Sequence, residues 1–307
     1  MLPPSARWQA IALAGQNAWW RYLLGVVICA GLAPILGSIA AILFAIAWLT
    51  LQGRSLSNIW QGEGEMFAEA SIANFIALNL PFIGVLCGLV LTLRFLHRRP
   101  WRGLVGIGPL RWQLFFSAFG LWLAIIAGVS ALSYGAAPDE FELTFRWGQW
   151  LPLALVALPL TFLQVAAEEL FFRGYLLQGL GLLIRSRMVL AAIAALPFAL
   201  VHFANPEMQR GLGWMALYYF AFGWVANWLT LKCDRLEPAL GFHLANNYFG
   251  ILVVSSRDSV LPAPSIFTVD ADSGSAMVMV LIFLAEVTLF CSLFFCRLPW
   301  RYLRDQV

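Results

Sequence analysis

Eight apolar runs follow one another along the 307 residues, near 20–49, 72–96, 114–136, 150–183, 188–204, 213–231, 238–255 and 276–296. Crossing a bilayer takes about 20 consecutive apolar residues. Inside the hydrocarbon no water is present to satisfy backbone N–H and C=O groups, so a run of this kind must be a helix. The predicted fold class is therefore all-α, a polytopic transmembrane helix bundle of about eight transmembrane helices. The runs 20–49 and 150–183 exceed the bilayer thickness and are expected to tilt, kink or protrude. The run 188–204 is at the lower limit and still reads as a span, because short polar turns join it to its neighbours. Composition removes the soluble alternative: 61% of residues are hydrophobic and 11% charged, too little charge to cover a soluble surface of this size. The first run starts after a polar lead and is too long for a signal core, so it reads as a retained anchor.

Loop charges predict orientation. With the N-terminus placed in the cytoplasm and eight alternations, 14 Arg and Lys fall inside, against Arg54, Arg146, Arg210 and Arg257 outside. The positive-inside rule then puts both termini in the cytoplasm. The 18 Arg against the single Lys232 hint at a GC-rich, bacterial genome, and with it a multi-pass protein of the inner membrane. The net charge of +3 is no nucleic-acid signal, since the basic residues are spread over loops that serve topology and meet anionic lipid. The expected partners are the lipid bilayer and a peptide or membrane-protein substrate, with no nucleic acid. His97, in the Arg-rich stretch 94–103, reads as part of such a loop and not as a ligand. The cysteines show no CxxC pair and read as packing residues.

Charged and polar side chains that do not belong in lipid cluster between 164 and 247. A charge at bilayer depth costs about 2.5 to 3.5 kcal/mol on the insertion scale, which makes each a functional hypothesis. In Glu168-Glu169-Leu-Phe-Phe-Arg173, Glu169 and Arg173 are four apart and can pair on one helix face. Glu168 is rotated about 100° from Glu169, which frees it to face a cavity, with Gln164 one turn earlier on the same side. The bland alternative is a charged helix end facing headgroups. Phe198 and His202 share a face four residues apart, and Pro197 can open that helix; a histidine bonded between helices is the alternative. His243 and Asn247 again share a face, with interhelical polar glue as the alternative.

The set EELFFR at 168–173, FALVH at 198–202 and HLANN at 243–247 resembles the motifs of the CAAX-type prenyl-protein endopeptidases and their bacterial Abi or bacteriocin-processing relatives, the CPBP family. The resemblance covers roughly 150–255. It implies an intramembrane endopeptidase with Glu168 as catalytic acid and base, His202 holding and activating water, and His243 and Asn247 stabilising an oxyanion. Glu169, Arg173 and Phe198 would support them. It also implies a glutamate mechanism with no cofactor. Glu with two His is a ligand set of some catalytic zinc sites, so a zinc ion on Glu168, His202 and His243 is the alternative, although HExxH is absent and the histidines come from separate helices. The chain then divides into 1–149, N-terminal transmembrane helices of unassigned role; 150–255, the catalytic core; and 256–307, an outer loop, the last transmembrane helix and a cytoplasmic tail.

Two competing functions remain at this stage. A proton-coupled transporter would use buried Glu and His as a relay, and Glu286 in the last run fits it or pairs with a neighbouring helix. A catalytically idle immunity or scaffold protein would keep the motifs without the chemistry. One geometric difficulty also stands. Glu168 and His202 lie roughly 22–26 Å from the turn at 185–187, whereas His243 lies about 10 Å from the turn at 234–235. They meet only if the 150–204 hairpin protrudes or a helix is broken.

Overall fold

The computed structural model describes residues 7–53, 71–261, 263–270 and 275–297. The acidic loop residues Glu63, Glu65 and Glu69, together with Arg54 and the tail from 298 onward, lie outside the described residues. The helices are α1 (Trp19–Leu51), α2 (Ile72–Asn79), α3 (Pro81–Leu91), α4 (Trp112–Ala136), α5 (Trp147–Glu169), α6 (Leu177–Gly181), α7 (Arg187–Val201), α8 (Leu212–Cys233), α9 (Glu237–Leu252) and α10 (Ala276–Arg297). Two π-helical stretches continue helices without a break, Thr92–His97 after α3 and Leu170–Leu176 between α5 and α6.

Among the described residues, six helical segments are long and apolar enough to cross a membrane: Trp19–Leu51, Ile72–His97, Trp112–Ala136, Trp147–Gly181, Arg187–Ala204 and Ala276–Cys296. The expected eight runs all form helices, but α8 and α9 are not of that kind. The 16 residues of α9 extend about 24 Å, short of the ~30 Å hydrocarbon core. In α8, aromatic and polar residues such as Tyr218, Tyr219 and Asn227 lower the apolarity. Both are shielded by neighbours: α8 packs on α7, α9 and α10, and α9 on α4 and α5. Lipid is met instead by helices such as α1, whose Leu23, Val27, Ile39 and Leu43 are exposed.

Close approach sets the position of α9. A Cβ on Gly241 would come within 2.2 Å of the Phe115 carbonyl oxygen of α4, so only glycine lets these backbones meet. Aromatic rings fill the centre, with Trp122, Phe198, Phe222, Phe242 and Phe290 buried in one cluster.

The bundle has two unlike ends. One gathers the basic turns 97–111, 182–186 and 234–236 and is called the basic end. There Arg235, buried, pairs with Glu237 and bonds the carbonyls of Ile107 and Pro109, and Arg187 reaches Asp234 at 3.5 Å. His97 is not in an exposed loop as expected. It is fully buried, with Nδ1 2.8 Å from the Gln16 carbonyl and Nε2 2.9 Å from the Tyr175 hydroxyl.

The other end carries a sheet that the turn-like composition of 255–265 and 270–275 did not announce. Strands β1 (Phe141–Leu143), β2 (Val254–Ser256) and β3 (Phe267–Val269) run in the order β1-β3-β2. β1 pairs antiparallel with β3, Glu142 opposite Thr268, and β2 pairs parallel with it, Ser255 opposite Thr268. Thus the α4–α5 connection is bonded to the α9–α10 connection.

Candidate active site

The site is built where α5 passes into its π-helical stretch. A π turn widens the helix by about one residue per turn and frequently occurs at functional sites. Glu168 and Glu169 are the last residues before it, and Arg173 lies within it. Glu169 Oε1 is 2.9 Å from an Arg173 terminal nitrogen, both side chains being wholly buried. The same oxygen lies 2.8 Å from His243 Nδ1 on α9. Arg173 is flanked by the Phe198 ring, 4.3 Å from its guanidinium carbon. Buried charges of this kind persist only when paired and hydrogen-bonded.

Glu168 points the other way. Its Oε2 is 3.9 Å from His243 Nε2, and its side chain is 12% exposed. It lines a cavity of about 720 Å³ together with Gln164, His202, His243, Asn246 and Asn247. The depth difficulty is met by helix length: Trp147–Gly181 has 35 residues, about 52 Å, so Glu168 stays level with His243 while the helix runs on past it.

His202 ends α7. Its Nδ1 lies 2.7 Å from the Phe198 carbonyl oxygen. A carbonyl only accepts, so Nδ1 carries the proton and the neutral ring presents a bare Nε2. The ring is held between Phe198, 4.5 Å between centroids, and Tyr219, 4.4 Å and nearly parallel at 23°. The Tyr219 hydroxyl accepts from Asn205 Nδ2 at 3.0 Å. On α9, Asn246 Nδ2 donates to Asn247 Oδ1 at 3.4 Å. With its oxygen so engaged, the Asn247 amide has its N–H donors to offer.

All seven residues singled out from the sequence thus fall in or directly behind one cavity. Sequence reasoning missed Tyr219, Asn205 and Asn246, and the charged group at the sheet end of the cavity, Glu207, Arg210 and Asp258. The Tyr-Tyr pair in an otherwise apolar run, and polar residues just after FALVH, were the available signals. Glu286 has its place beside this wall, within electrostatic reach of Tyr218.

Among the described residues no three His, Cys, Asp or Glu are grouped to hold a metal ion. His243 Nδ1 and His202 Nδ1 each face a protein acceptor, an arrangement that leaves each Nε2 available.

An α-helical membrane bundle with paired glutamates and two histidines around an internal cavity is the arrangement that the resemblance to CAAX-type intramembrane proteases implied. Comparison with known proteins agrees. The family described as type II CAAX prenyl endopeptidase Rce1-like matches residues 149–249, which include Glu168, His202, His243 and Asn247. The chain is 32% identical over 260 residues to the uncharacterized protein YyaK of Bacillus subtilis (strain 168), covering 84% of this chain and 85% of that relative. The chain belongs to this Rce1-like CAAX protease family.

Proposed function

We propose that this protein hydrolyses a peptide bond of a membrane-associated or lipidated protein or peptide, using water activated by Glu168. The observation that carries the reading is the 3.9 Å approach of Glu168 Oε2 to His243 Nε2 on the wall of a cavity. One water at the apex of that short base can touch both groups at hydrogen-bond distance. His202 offers a bare Nε2 to accept one hydrogen of the water, and Glu168 takes the other.

The hydrogen bonds support the division of labour. His243 Nδ1 is held 2.8 Å from a Glu169 carboxylate oxygen, which turns Nε2 toward Glu168. In its protonated form the ring presents Nε2–H as a donor. In the reaction Glu168 removes a proton from water, and the hydroxide formed attacks the scissile carbonyl carbon. His243 Nε2–H and Asn247 Nδ2–H stabilise the oxyanion. Glu168 then passes its proton to the departing amine as the C–N bond breaks. Water has been added across the bond, and no metal or redox partner enters.

The cavity also suggests the side of approach. Its wall includes residues 205–210 and 254–261 of the sheet end and, of the described residues, none from the turns 97–111, 182–186 and 234–236. Combined with the positive-inside bias, this gives a substrate presented from the side opposite the basic loops, with both termini cytoplasmic. A relay that moves protons across the membrane needs a path to both ends, so the one-ended cavity counts against the transporter reading.

The test compares amino-terminal peptide profiles of membranes holding wild-type, Glu168→Ala or His202→Ala protein. New termini present only with the wild type are expected, with both variants folded by circular dichroism in detergent. Identical termini in the Glu168→Ala sample would overturn the mechanism.

A further inference from the structure

The turn Pro206–Arg210 and the connection after β2 form the mouth of the cavity at the sheet end. Helix α5 follows β1 and so leaves that end. Gln164 therefore lies one turn, about 6 Å, nearer the mouth than Glu168, on the same helix face.

The chemistry above does not use Gln164. The residue is 8% exposed and lines the cavity beside Glu168. Among the described residues its side chain makes no hydrogen bond, neither to Glu168 nor to any other group. Its Oε1 is shut away from solvent, whereas its Nε2 is not. The open end of this amide is thus its pair of N–H donors. Folded proteins leave few buried polar groups unpaired, because each one costs stability. On a cavity wall, such a donor calls for an acceptor brought by the occupant.

Backbone geometry names the acceptor. In an extended peptide, carbonyls on one side of the chain recur every second residue, about 6.4–6.8 Å apart. That spacing is close to the ~6 Å between Glu168 and Gln164. A scissile carbonyl held beside Glu168 then brings a second carbonyl beside Gln164.

We propose that Gln164 is a substrate-binding residue whose Nε2 donates a hydrogen bond to a backbone carbonyl of the peptide, two residues from the scissile carbonyl on the mouth side. Every residue carries such a carbonyl, so the contact sets the register of the chain and selects no side chain. The inference rests on the hydrolase reading above, since it makes the occupant of the cavity the substrate of Glu168.

Two measurements test it. The first is the Tm of Gln164→Met in detergent. Methionine keeps the volume and no hydrogen bond is lost, so the variant is expected to melt no lower than the wild type. A markedly lower Tm would make the amide a structural group and overturn the proposal. The second uses a synthetic peptide spanning a Glu168-dependent cut found in the terminal profiles. Gln164→Met is expected to raise KM about twofold to tenfold, the range for one neutral hydrogen bond. An unchanged kcat should accompany it, the pattern for a contact made equally before and in the transition state. The peptide is also made with sulfur, a poorer acceptor, in place of each carbonyl oxygen two residues from the cut. At one of the two positions sulfur should raise KM in the wild type and add nothing in Gln164→Met. An equal sulfur effect in both proteins, or none at either position in the wild type, would overturn the contact and leave the hydrolase reading intact. The wild-type series decides alone if the variant is not recovered folded. No Glu168-dependent cut at all would overturn the hydrolase reading, and the substrate role of Gln164 with it.

Discussion

Glu169 Oε1 lies 2.8 Å from Nδ1 of His243, a residue 74 positions further along the chain. The same oxygen holds Arg173, so one carboxylate both neutralises a buried cation and orients a ring. Glu169→Ala and Arg173→Ala should each cost about 3–5 kcal/mol of stability, because the partner's charge stays buried. The double variant should lose less than the sum, read as Tm in detergent. Additive losses would show that the two do not act as a pair.

Asn247 and Asn246 should separate. Asn247→Ala is expected to lower kcat by about 10² to 10³ with little change in KM, the pattern for a donor engaged in the transition state. Asn246→Ala, which removes the bond steadying the Asn247 oxygen and the one to Tyr218, should cost less. A rise in KM at constant kcat for Asn247→Ala would place it in ground-state binding instead.

Tyr219 is expected to act as a positioning residue through its ring. Tyr219→Phe keeps the face stacked on His202 and should retain most activity. Tyr219→Ala frees the imidazole and should lower kcat without lowering Tm in proportion. Loss of activity in Tyr219→Phe equal to that in Tyr219→Ala would assign the work to the hydroxyl.

Stability at the mouth should depend on pH in opposite senses for its two acids. Hydrogen bonds from Arg210 and Ser256 hold Asp258 below its ordinary range. Its contribution is therefore present above about pH 3.9 and lost as pH falls through the lowered folded value. Asp258→Asn should lower Tm at neutral pH, and the difference should close in strong acid. Glu207 is raised by burial, so its ionisation opposes folding. That cost is absent in acid and complete once pH exceeds the raised value. Glu207→Gln should then raise Tm at neutral pH. Thermal melts from about pH 2 to pH 8 decide both.

Topology follows from the two ends. At the sheet end Arg210 is neutralised by Asp258, and Arg257 pairs with Glu142 and, at 2.5 Å, with Asp270. Single cysteines at positions 102, 186 and 257, in a background lacking the native five, should react with an impermeant thiol reagent on intact cells only at 257. Reaction at 102 or 186 alone would invert the assignment.

How much of this was legible depends on the length scale of the signal. Apolar runs gave the helices because a bilayer leaves backbone no other choice, and the spacing of Glu169 with Arg173 and of His243 with Asn247 follows from helix geometry alone. The crowding of α8 and α9 behind other helices was hidden, since an apolar run looks alike against lipid and against protein. Strands of three residues are too short for an alternating pattern, and the β1–β3 pairing joins residues more than 100 positions apart, as Glu142 with Thr268. The mouth was hidden for the same reason: Arg210 and Asp258 are 48 positions apart. His97 was misplaced because its neighbours are arginines, while its partners Gln16 and Tyr175 are far away in sequence.

The π-helical stretch after Glu169 has a consequence for how the gene can vary. Its seven residues set the angular phase between everything before and everything after them. Adding one further residue at α pitch would rotate α5 relative to α6 by about 100°, turning the Glu168 carboxylate off the cavity although every motif residue remained. The segment should therefore accept side-chain exchange at lipid-facing positions far more readily than an insertion, and a one-residue insertion across 170–176 should be as damaging as loss of the glutamate itself.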